Sequence, residues 1–136
     1  MSEAEFSGGC LCGKVRYSVA GPAQQVCYCH CESCRHASGA PFVAWATFSA
    51  DDFVAVRGEI KQHRSSEYVL RGFCATCATP LTYWHEARAG EIDVTLASLD
   101  AAGELAPRFH LWVQEKLPWV QLNDDLPRYD TVREPD

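Results

Sequence analysis

The sequence predicts a mainly β fold in one domain, and three observations lead to this expectation. Short segments of alternating or apolar residues recur along the chain and are separated by turn residues such as Gly21-Pro22. A length of 136 residues suits a single hydrophobic core. Cysteines stand close together at three separate places. We therefore expect one domain over residues 1–136, with residues 122–136 as a tail on its surface.

The expected strands can be justified in chain order. Residues 14–19 alternate with a period of two, which is typical of a half-buried strand, and residues 42–48 are apolar and aromatic, as in a buried strand. Between them, residues 33–38 can form one helical turn before Gly39 and Pro41. The remaining strands are predicted at 60–63 and 67–73 around a turn at 64–66, at 81–85 and 92–97 around a turn at 87–90, and at 108–113.

Charge and hydropathy exclude several classes of protein. The chain has 12 Lys and Arg against 18 Asp and Glu, a net charge of −6, whereas nucleic-acid binders carry a basic surface. It contains no apolar run near the roughly 18 residues that a membrane span needs. The N-terminal residues lack the basic and apolar pattern of an export signal, so we expect a cytoplasmic protein.

The eight cysteines are the unusual feature of the composition. In a reducing compartment, closely spaced cysteines more often bind metal than form disulfides. Residues only two apart rarely reach the geometry of a disulfide with each other, whereas tight pairs suit tetrahedral zinc. The spacing therefore predicts metal sites at Cys10-x-Cys12, at Cys27-x-Cys29-x-Cys31-x-x-Cys34 and at Cys74-x-x-Cys77.

Two of these groups are expected to form one closed site. Cys10 and Cys12 point to the same face of an extended chain, and Cys74 and Cys77 have the spacing of a zinc knuckle. Closing the loop of about 62 residues between the pairs costs roughly 3.7 kcal/mol, and structural zinc returns on the order of 10–16 kcal/mol. A redox-active CxxC pair is the alternative, but the sequence has no βαβ pattern to accompany it.

The central cysteines suggest a site of a different kind. Cys29, Cys31 and Cys34 can converge on one ion and leave a fourth position open, as in catalytic zinc sites. Cys27 could fill that position and close the site. Three alternate residues on a straight strand span roughly 13 Å, so Cys27 is expected to lie outside the coordination sphere. Arg35 and the following His36 could offset the negative charge of three thiolates.

These motifs resemble the glutathione-dependent formaldehyde-activating enzyme family, which includes centromere protein V. The matching segments are GGCLCGKVRY at 8–17, CHCESCRHASGAPF at 29–42 and FCATCATPL at 73–81, with weaker likeness at 110–112, 116–119 and 126–129. The chain departs from the family pattern at two positions. Cys27 is an additional thiol, and Ala78 stands where the family usually has glycine.

The resemblance implies a zinc-pinned fold of twisted antiparallel sheets, which is called a β-tent. It implies two zinc ions, a structural one on Cys10, Cys12, Cys74 and Cys77 and a catalytic one on Cys29, Cys31 and Cys34. The family activity is carbon–sulfur lyase chemistry, in which glutathione and formaldehyde combine reversibly as S-hydroxymethylglutathione. The implied partner is a small-molecule thiol, with glutathione as the first candidate.

Other residues are candidates for roles around this chemistry. His36, Ser38 and Tyr28 are candidate proton donors, since each lies near the central cysteines in the sequence. Arg35, Ser38, Lys116 and Trp119 are candidate substrate-binding residues, while His63, His85 and His110 are expected to be structural. Two other classes of function stay open, namely a non-catalytic zinc module that binds a protein and a thiol redox or metal-buffering protein.

Overall fold

The computed structural model describes residues 5–133, and strands dominate this part of the chain. The mainly β fold class is therefore confirmed. In chain order the strands and the single α-helix of the described residues are β1 (Glu5–Gly9), β2 (Arg16–Ala20), β3 (Gln25–Cys29), α1 (Glu32–Ser38), β4 (Val43–Ser49), β5 (Phe53–Arg57), β6 (Ile60–Ser66), β7 (Val69–Cys74), β8 (Pro80–His85), β9 (Glu91–Thr95) and β10 (Phe109–Leu111).

The strands form two sheets. The smaller sheet has the order β1-β2-β5, and the larger has the order β10-β3-β4-β9-β8-β7-β6. Within the described residues, every pairing of named strands is antiparallel except that of β10 with β3, which is parallel. The expectation of antiparallel sheets therefore holds for all pairs but this one. A parallel pair needs a long crossover, and here most of the chain lies between its two strands.

The main core lies between the two sheets. Strand β2 supplies alternate side chains to this core, including Tyr17, and the larger sheet supplies buried residues such as Phe48 and Leu81. The Tyr17 hydroxyl lies 2.6 Å from the hydroxyl of Ser98, so its polar end is satisfied inside the apolar cluster. Positions in β2 alternate between buried and partly buried, which agrees with the half-buried strand that the sequence predicts.

A second, smaller apolar cluster lies on the other face of β3 and β4. It contains Cys27, Cys29 and Cys34 together with Trp45 and Phe109. Side chains alternate between the two faces of a strand. Val26 therefore packs in the main core, whereas the next residue, Cys27, packs in the smaller cluster. The central cysteines are thus placed on a face separate from the main core.

Several predicted boundaries differ from the structure. The turn expected at 64–66 lies two residues later, because β6 continues to Ser66 and the chain reverses at Glu67 and Tyr68. Strand β9 ends at Thr95, where a 3₁₀ turn begins, rather than at residue 97. Strand β10 covers only Phe109–Leu111, because Trp112 takes a left-handed conformation with φ of 58° and ends the strand.

Three strands were missed by the sequence analysis, namely β1, β3 and β5. Strand β1 ends in two glycines, which have low strand propensity. Gly8 is required there because a Cβ atom would lie 2.6 Å from the ring of Tyr17. Strand β5 lies at the edge of the smaller sheet and is largely exposed, so it has no clear pattern of alternating burial.

The described part of the predicted tail, residues 122–133, runs along β10. The His110 N–H donates to the Pro127 carbonyl at 2.9 Å, and the Tyr129 N–H donates to the His110 carbonyl at 3.0 Å. The Tyr129 ring packs edge-on against Phe109 with 5.9 Å between ring centroids. Residues 134–136 of the predicted tail lie outside the described residues. No helix in the described part is both long and apolar enough to cross a membrane.

Candidate metal centres and the adjoining cleft

The first cysteine cluster contains the four residues predicted to share a structural ion. The sulfurs of Cys10, Cys12, Cys74 and Cys77 all lie within 4.8 Å of one another. Two of the separations are 3.5 Å, from Cys10 to Cys12, and 3.9 Å, from Cys12 to Cys74. A tetrahedron with zinc–sulfur bonds of about 2.3 Å has edges of about 3.8 Å, so the donor set fits this metal.

Backbone N–H groups of two loops point at sulfurs of this cluster. The Val15 N–H donates to Cys10 Sγ at 3.2 Å, and the N–H groups of Thr76 and Cys77 donate to Cys74 Sγ at 3.3 and 3.4 Å. Such bonds stabilise thiolates, which are the form that binds metal. Cys10 follows a strand of the smaller sheet and Cys74 ends a strand of the larger one. The cluster therefore joins the two sheets.

Thr79 also supports this cluster, although the sequence analysis did not select it. Its hydroxyl oxygen accepts the Leu11 N–H at 3.1 Å and lies 3.1 Å from Cys77 Sγ. The hydroxyl hydrogen can therefore point to that sulfur. Hydrogen bonding to Thr79 lowers the pKa of the Cys77 thiol to about 5. Thr79 thus bridges the two loops that supply the cysteine pairs.

The second cluster contains Cys29, Cys31 and Cys34, whose sulfurs also lie within 4.8 Å of one another. Cys29 ends β3, Cys31 caps the N-terminus of α1, and Cys34 lies in the first turn of that helix. The Cys31 sulfur accepts the Cys34 N–H at 3.3 Å and lies 3.4 Å from the Cys29 sulfur. Hydrogen bonds from the Cys29 and Cys34 thiols lower the pKa of Cys31 to about 2. This is the donor set of a three-thiolate metal site.

Cys27 lies outside this group of sulfurs. Strand β3 pairs with β4 in an uninterrupted register from Gln25 to Cys29, so it does not bend to bring Cys27 towards the other ligands. The Cys27 side chain is 6% exposed and packs in the smaller apolar cluster. Burial raises the pKa of its thiol to about 12, which favours the protonated form. Cys27 is placed as a buried thiol beside the site, as expected from the geometry of a strand.

A cleft of about 260 Å³ opens beside Cys34. Four of its lining residues also line a second cleft of about 500 Å³, which reaches Cys10 of the first cluster and the adjacent Leu11. The lining is largely apolar, as in sites for small molecules. The residues of the smaller cleft are Cys34, Ala37, Ser38, Val43, Trp45, His63, Arg71, Gly72, Phe73, Ala78, Pro80, Thr82 and Thr95.

Of the three candidate proton donors, the structure brings only Ser38 to the cleft. Its hydroxyl donates to the Cys34 carbonyl at 2.8 Å and accepts the Ala40 N–H at 3.1 Å. His36 has a side chain 73% exposed, and its ring lies 3.9 Å from the Glu32 carboxylate. Tyr28 stacks on a histidine ring on the other side of β3 and does not line the cleft.

Three candidate substrate-binding residues lie elsewhere. Lys116 donates to the carbonyls of Leu117 and Val120 at 3.2 and 2.6 Å, so its ammonium group holds its own loop. Trp119 is 67% exposed and lines neither cleft. Arg35 also lies outside both clefts, and within the described chain its buried Nε has no hydrogen-bond partner.

Arg71 and His63 line the cleft but were missed as site residues. They are directly opposed on β7 and β6, so their side chains lie on the same face of the sheet. The Arg71 guanidinium lies over the ring of Tyr83, 4.9 Å from its centroid. The sequence does carry a signal at this position, since Arg71 interrupts an otherwise apolar strand segment between Val69 and Phe73.

A chain of buried imidazoles also reaches the second cluster. A ring nitrogen of His30, the residue between Cys29 and Cys31, lies 2.9 Å from a ring nitrogen of His110. The other ring nitrogen of His110 lies 2.9 Å from the Asp124 carboxylate. Both histidines are almost fully buried. Burial lowers the pKa of His30 to about 4, so the ring is neutral at pH 7. These contacts tie residues 122–133 to the loop that carries Cys29 and Cys31.

Comparison with known proteins places these features in a family. The chain is 29% identical over 79 residues to an uncharacterized lyase of Schizosaccharomyces pombe, covering 58% of this chain and 57% of that relative. The chain therefore spans little more than half the length of this relative. A crystal structure of a Rhodobacter sphaeroides protein shares the fold, with a TM-score of 0.60 and 24% identity over 75% of this chain and 92% of that one. A family profile described as glutathione-dependent formaldehyde-activating enzyme matches residues 5–115, and the chain belongs to this family.

Proposed function

We propose that this protein is a zinc-dependent carbon–sulfur lyase that forms and cleaves an adduct of a small thiol with an aldehyde. The observation that carries the proposal is the position of the three-cysteine cluster, which has only three sulfur ligands and adjoins an apolar cleft at Cys34. A metal site with three protein ligands leaves a position for substrate. Glutathione is the thiol, and formaldehyde the aldehyde, that the family description favours.

In this proposal zinc is held by Cys29, Cys31 and Cys34, and a second zinc by the four-cysteine cluster. A metal at the three-cysteine cluster would keep the substrate thiol deprotonated near neutral pH, because a thiol that coordinates a metal loses its proton. The second zinc has no substrate role and serves to join the two sheets. Hydrogen bonds from the backbone N–H groups and from Thr79 hold the cysteine sulfurs as thiolates ready for both ions.

The residues of the cleft would serve the addition and its reverse. The substrate sulfur forms a bond to the aldehyde carbon, and the carbonyl oxygen takes up a proton. In the reverse direction that oxygen loses its proton, the carbon–sulfur bond breaks, and thiolate and aldehyde separate. We assign the proton transfer to His63, because it is the imidazole that lines the cleft. Ser38 already donates its hydroxyl proton to the Cys34 carbonyl, so it serves to hold the loop.

The chemistry of the thiols also indicates the setting in which the protein works. All eight cysteines are free, and the sulfurs of two groups lie close enough together to hold a metal ion. Free thiols persist in a reducing compartment. We therefore propose a cytoplasmic location and a thiol substrate of the kind that is abundant there.

Exchange between glutathione and ¹³C-formaldehyde, measured by NMR, tests the proposal. The uncatalysed reaction sets the baseline, and the zinc-loaded protein should raise the exchange rate well above it. Cys31→Ser should return the rate to the baseline, while the matched variant Cys27→Ala, which alters a cysteine outside the cluster, should keep it. A protein with two zinc ions that neither binds glutathione nor raises the exchange rate would instead be a non-catalytic zinc module.

A further inference from the structure

The cleft contains a cation that has no anionic partner among the described residues. No salt bridge of the described chain includes Arg71, and no Asp or Glu lines the cleft. The buried carboxylate of Asp93, on β9, is already bound by Thr47 at 2.6 Å and by Arg88 at 3.2 Å. The Arg71 guanidinium thus has no carboxylate partner among the described residues, and the Asp93 carboxylate is bound to a different guanidinium, that of Arg88.

The position of Arg71 suits the recognition of a planar anion. Its backbone is held in β7 between β6 and β8, where it is opposed by His63 on one side and Tyr83 on the other. The ring of Tyr83 packs against the face of the guanidinium, 4.9 Å from its carbon. Stacking uses the flat face of the group and leaves its edge of N–H donors available for a carboxylate, which can accept two parallel hydrogen bonds.

The cleft places this cation and the proposed thiol position along the same cavity. Cys34 and Arg71 both line it. A volume of about 260 Å³ accepts a small aliphatic chain between the two ends. A molecule with a sulfur at one end and a carboxylate at the other would satisfy both.

We propose that Arg71 binds the carboxylate of the substrate and so selects thiols that carry a carboxylate over neutral thiols. This inference rests on the proposed function, in which a thiol enters the cleft at the three-cysteine cluster. The competing role for Arg71 is to offset the negative charge of the cysteine sulfurs. That role would assist every thiol alike, so a pair of probes that differ only in the carboxylate separates the two.

The test measures dissociation constants by calorimetry on the zinc-loaded protein, with 3-mercaptopropionate and its neutral amide as probes. The wild-type protein should bind the acid more tightly. Arg71→Gln should weaken the acid by about 10- to 100-fold, the effect of losing hydrogen bonds to a charged group, and change the amide by less than about 3-fold. Arg71→Lys should recover part of the preference, because it restores the charge without the paired donors.

Arg64→Gln provides the matched control, since Arg64 lies on the adjacent strand, donates to the Glu67 carbonyl and does not line the cleft. It should leave both probes unchanged. Equal weakening of acid and amide by Arg71→Gln would overturn carboxylate recognition and assign the residue to the cluster charge. Unchanged binding of both probes in a folded Arg71→Gln protein would overturn any role of Arg71 in binding. A wild-type protein that binds neither thiol would refute the proposed function itself, and with it this inference.

Discussion

The two cysteine clusters use the same ligand atom but differ in what they connect. The four-cysteine cluster joins segments 62 residues apart and belonging to different sheets. The three-cysteine cluster lies within six residues, between the end of β3 and the first turn of α1. A metal that holds together the ends of a long loop contributes directly to the stability of the fold. A metal bound within a short loop contributes less, because it restricts the conformational entropy of only a few residues.

The clusters also differ in ligand number and surroundings. The first has four sulfurs, which complete a tetrahedron, and the second has three and adjoins a cleft. Cys27 would have been the fourth sulfur of the second cluster, but the straight course of β3 keeps it away from Cys29, Cys31 and Cys34. Local strand geometry, rather than the number of cysteines, therefore decides how many sulfurs each cluster brings together.

Loss of the four-cysteine cluster should have the largest effect. Cys74→Ser removes a ligand whose side chain is 1% exposed and which accepts two backbone N–H groups. Structural zinc contributes on the order of 10–16 kcal/mol in peptides, as much as the whole stability of an ordinary domain. We expect an unfolded or insoluble protein, assessed by circular dichroism and zinc content. A cooperative melting transition at the wild-type temperature would contradict the structural role of this cluster.

The same substitution in the three-cysteine cluster should be much milder. Serine is a favourable helix N-cap, so Cys31→Ser should keep an acceptor for the Cys34 N–H and preserve α1. We expect the loss of one zinc equivalent and a destabilisation of only about 1–2 kcal/mol. Metal analysis and thermal melting on the same sample provide the measurement. If this variant unfolds as readily as Cys74→Ser, the two clusters do not differ in the way proposed.

Removal of the buried thiol should sharpen the difference further. Cys27→Ala deletes a sulfur that packs against the apolar cluster containing Trp45 and Phe109. The expected destabilisation is about 1 kcal/mol, because only a small side chain is lost from the core. Both zinc equivalents and the binding of thiol should remain, as shown by metal analysis and calorimetry. Loss of one zinc would mean that Cys27 completes a second closed site.

The smallest effect is expected at the knuckle of the first cluster. Ala78 has φ of 66°, a left-handed conformation that costs an L-residue roughly 1 kcal/mol and that glycine adopts freely. Ala78→Gly should therefore stabilise the protein by up to about 1 kcal/mol in denaturant unfolding. Ala75→Gly, in the same knuckle but at ordinary φ, is the control and should be neutral or destabilising. A lower stability for Ala78→Gly would show that no strain is stored there.

Two of the correctly predicted strands, β2 and β4, carry the pattern of their burial in their own residues. Strand β2 alternates and β4 is apolar, so their residues alone indicate how they pack. Strand β5 is exposed, and β1 ends in glycines, so pairing with β2 rather than residue preference makes them strands. The local sequence pattern therefore does not predict a strand that is stabilised mainly by pairing with a neighbouring strand.

In the candidate site, likewise, the cysteine clusters could be predicted from the sequence, but most of the other residues of the cleft could not. Cysteine spacing indicates both clusters, since the ligands of each pair are neighbours in the sequence. His36 was selected for its nearness to Cys34, but two residues along a helix turn a side chain by about 200°, so it points to solvent. Arg71 and His63 were not selected, because they come to the cleft only through the register of β6 with β7.

The sequence by itself determined the fold class, the two groups of cysteines that cluster in the fold, and the family, because each depends on residue type and short spacing. The tertiary structure alone decided that the second cluster adjoins a cleft, that Cys27 stands apart from it, and that a guanidinium without a carboxylate lines the same cavity. These features depend on strand order and register. Contacts between residues that are distant in the chain depend on the packing of the whole sheet, so they cannot be predicted from any short segment of the sequence.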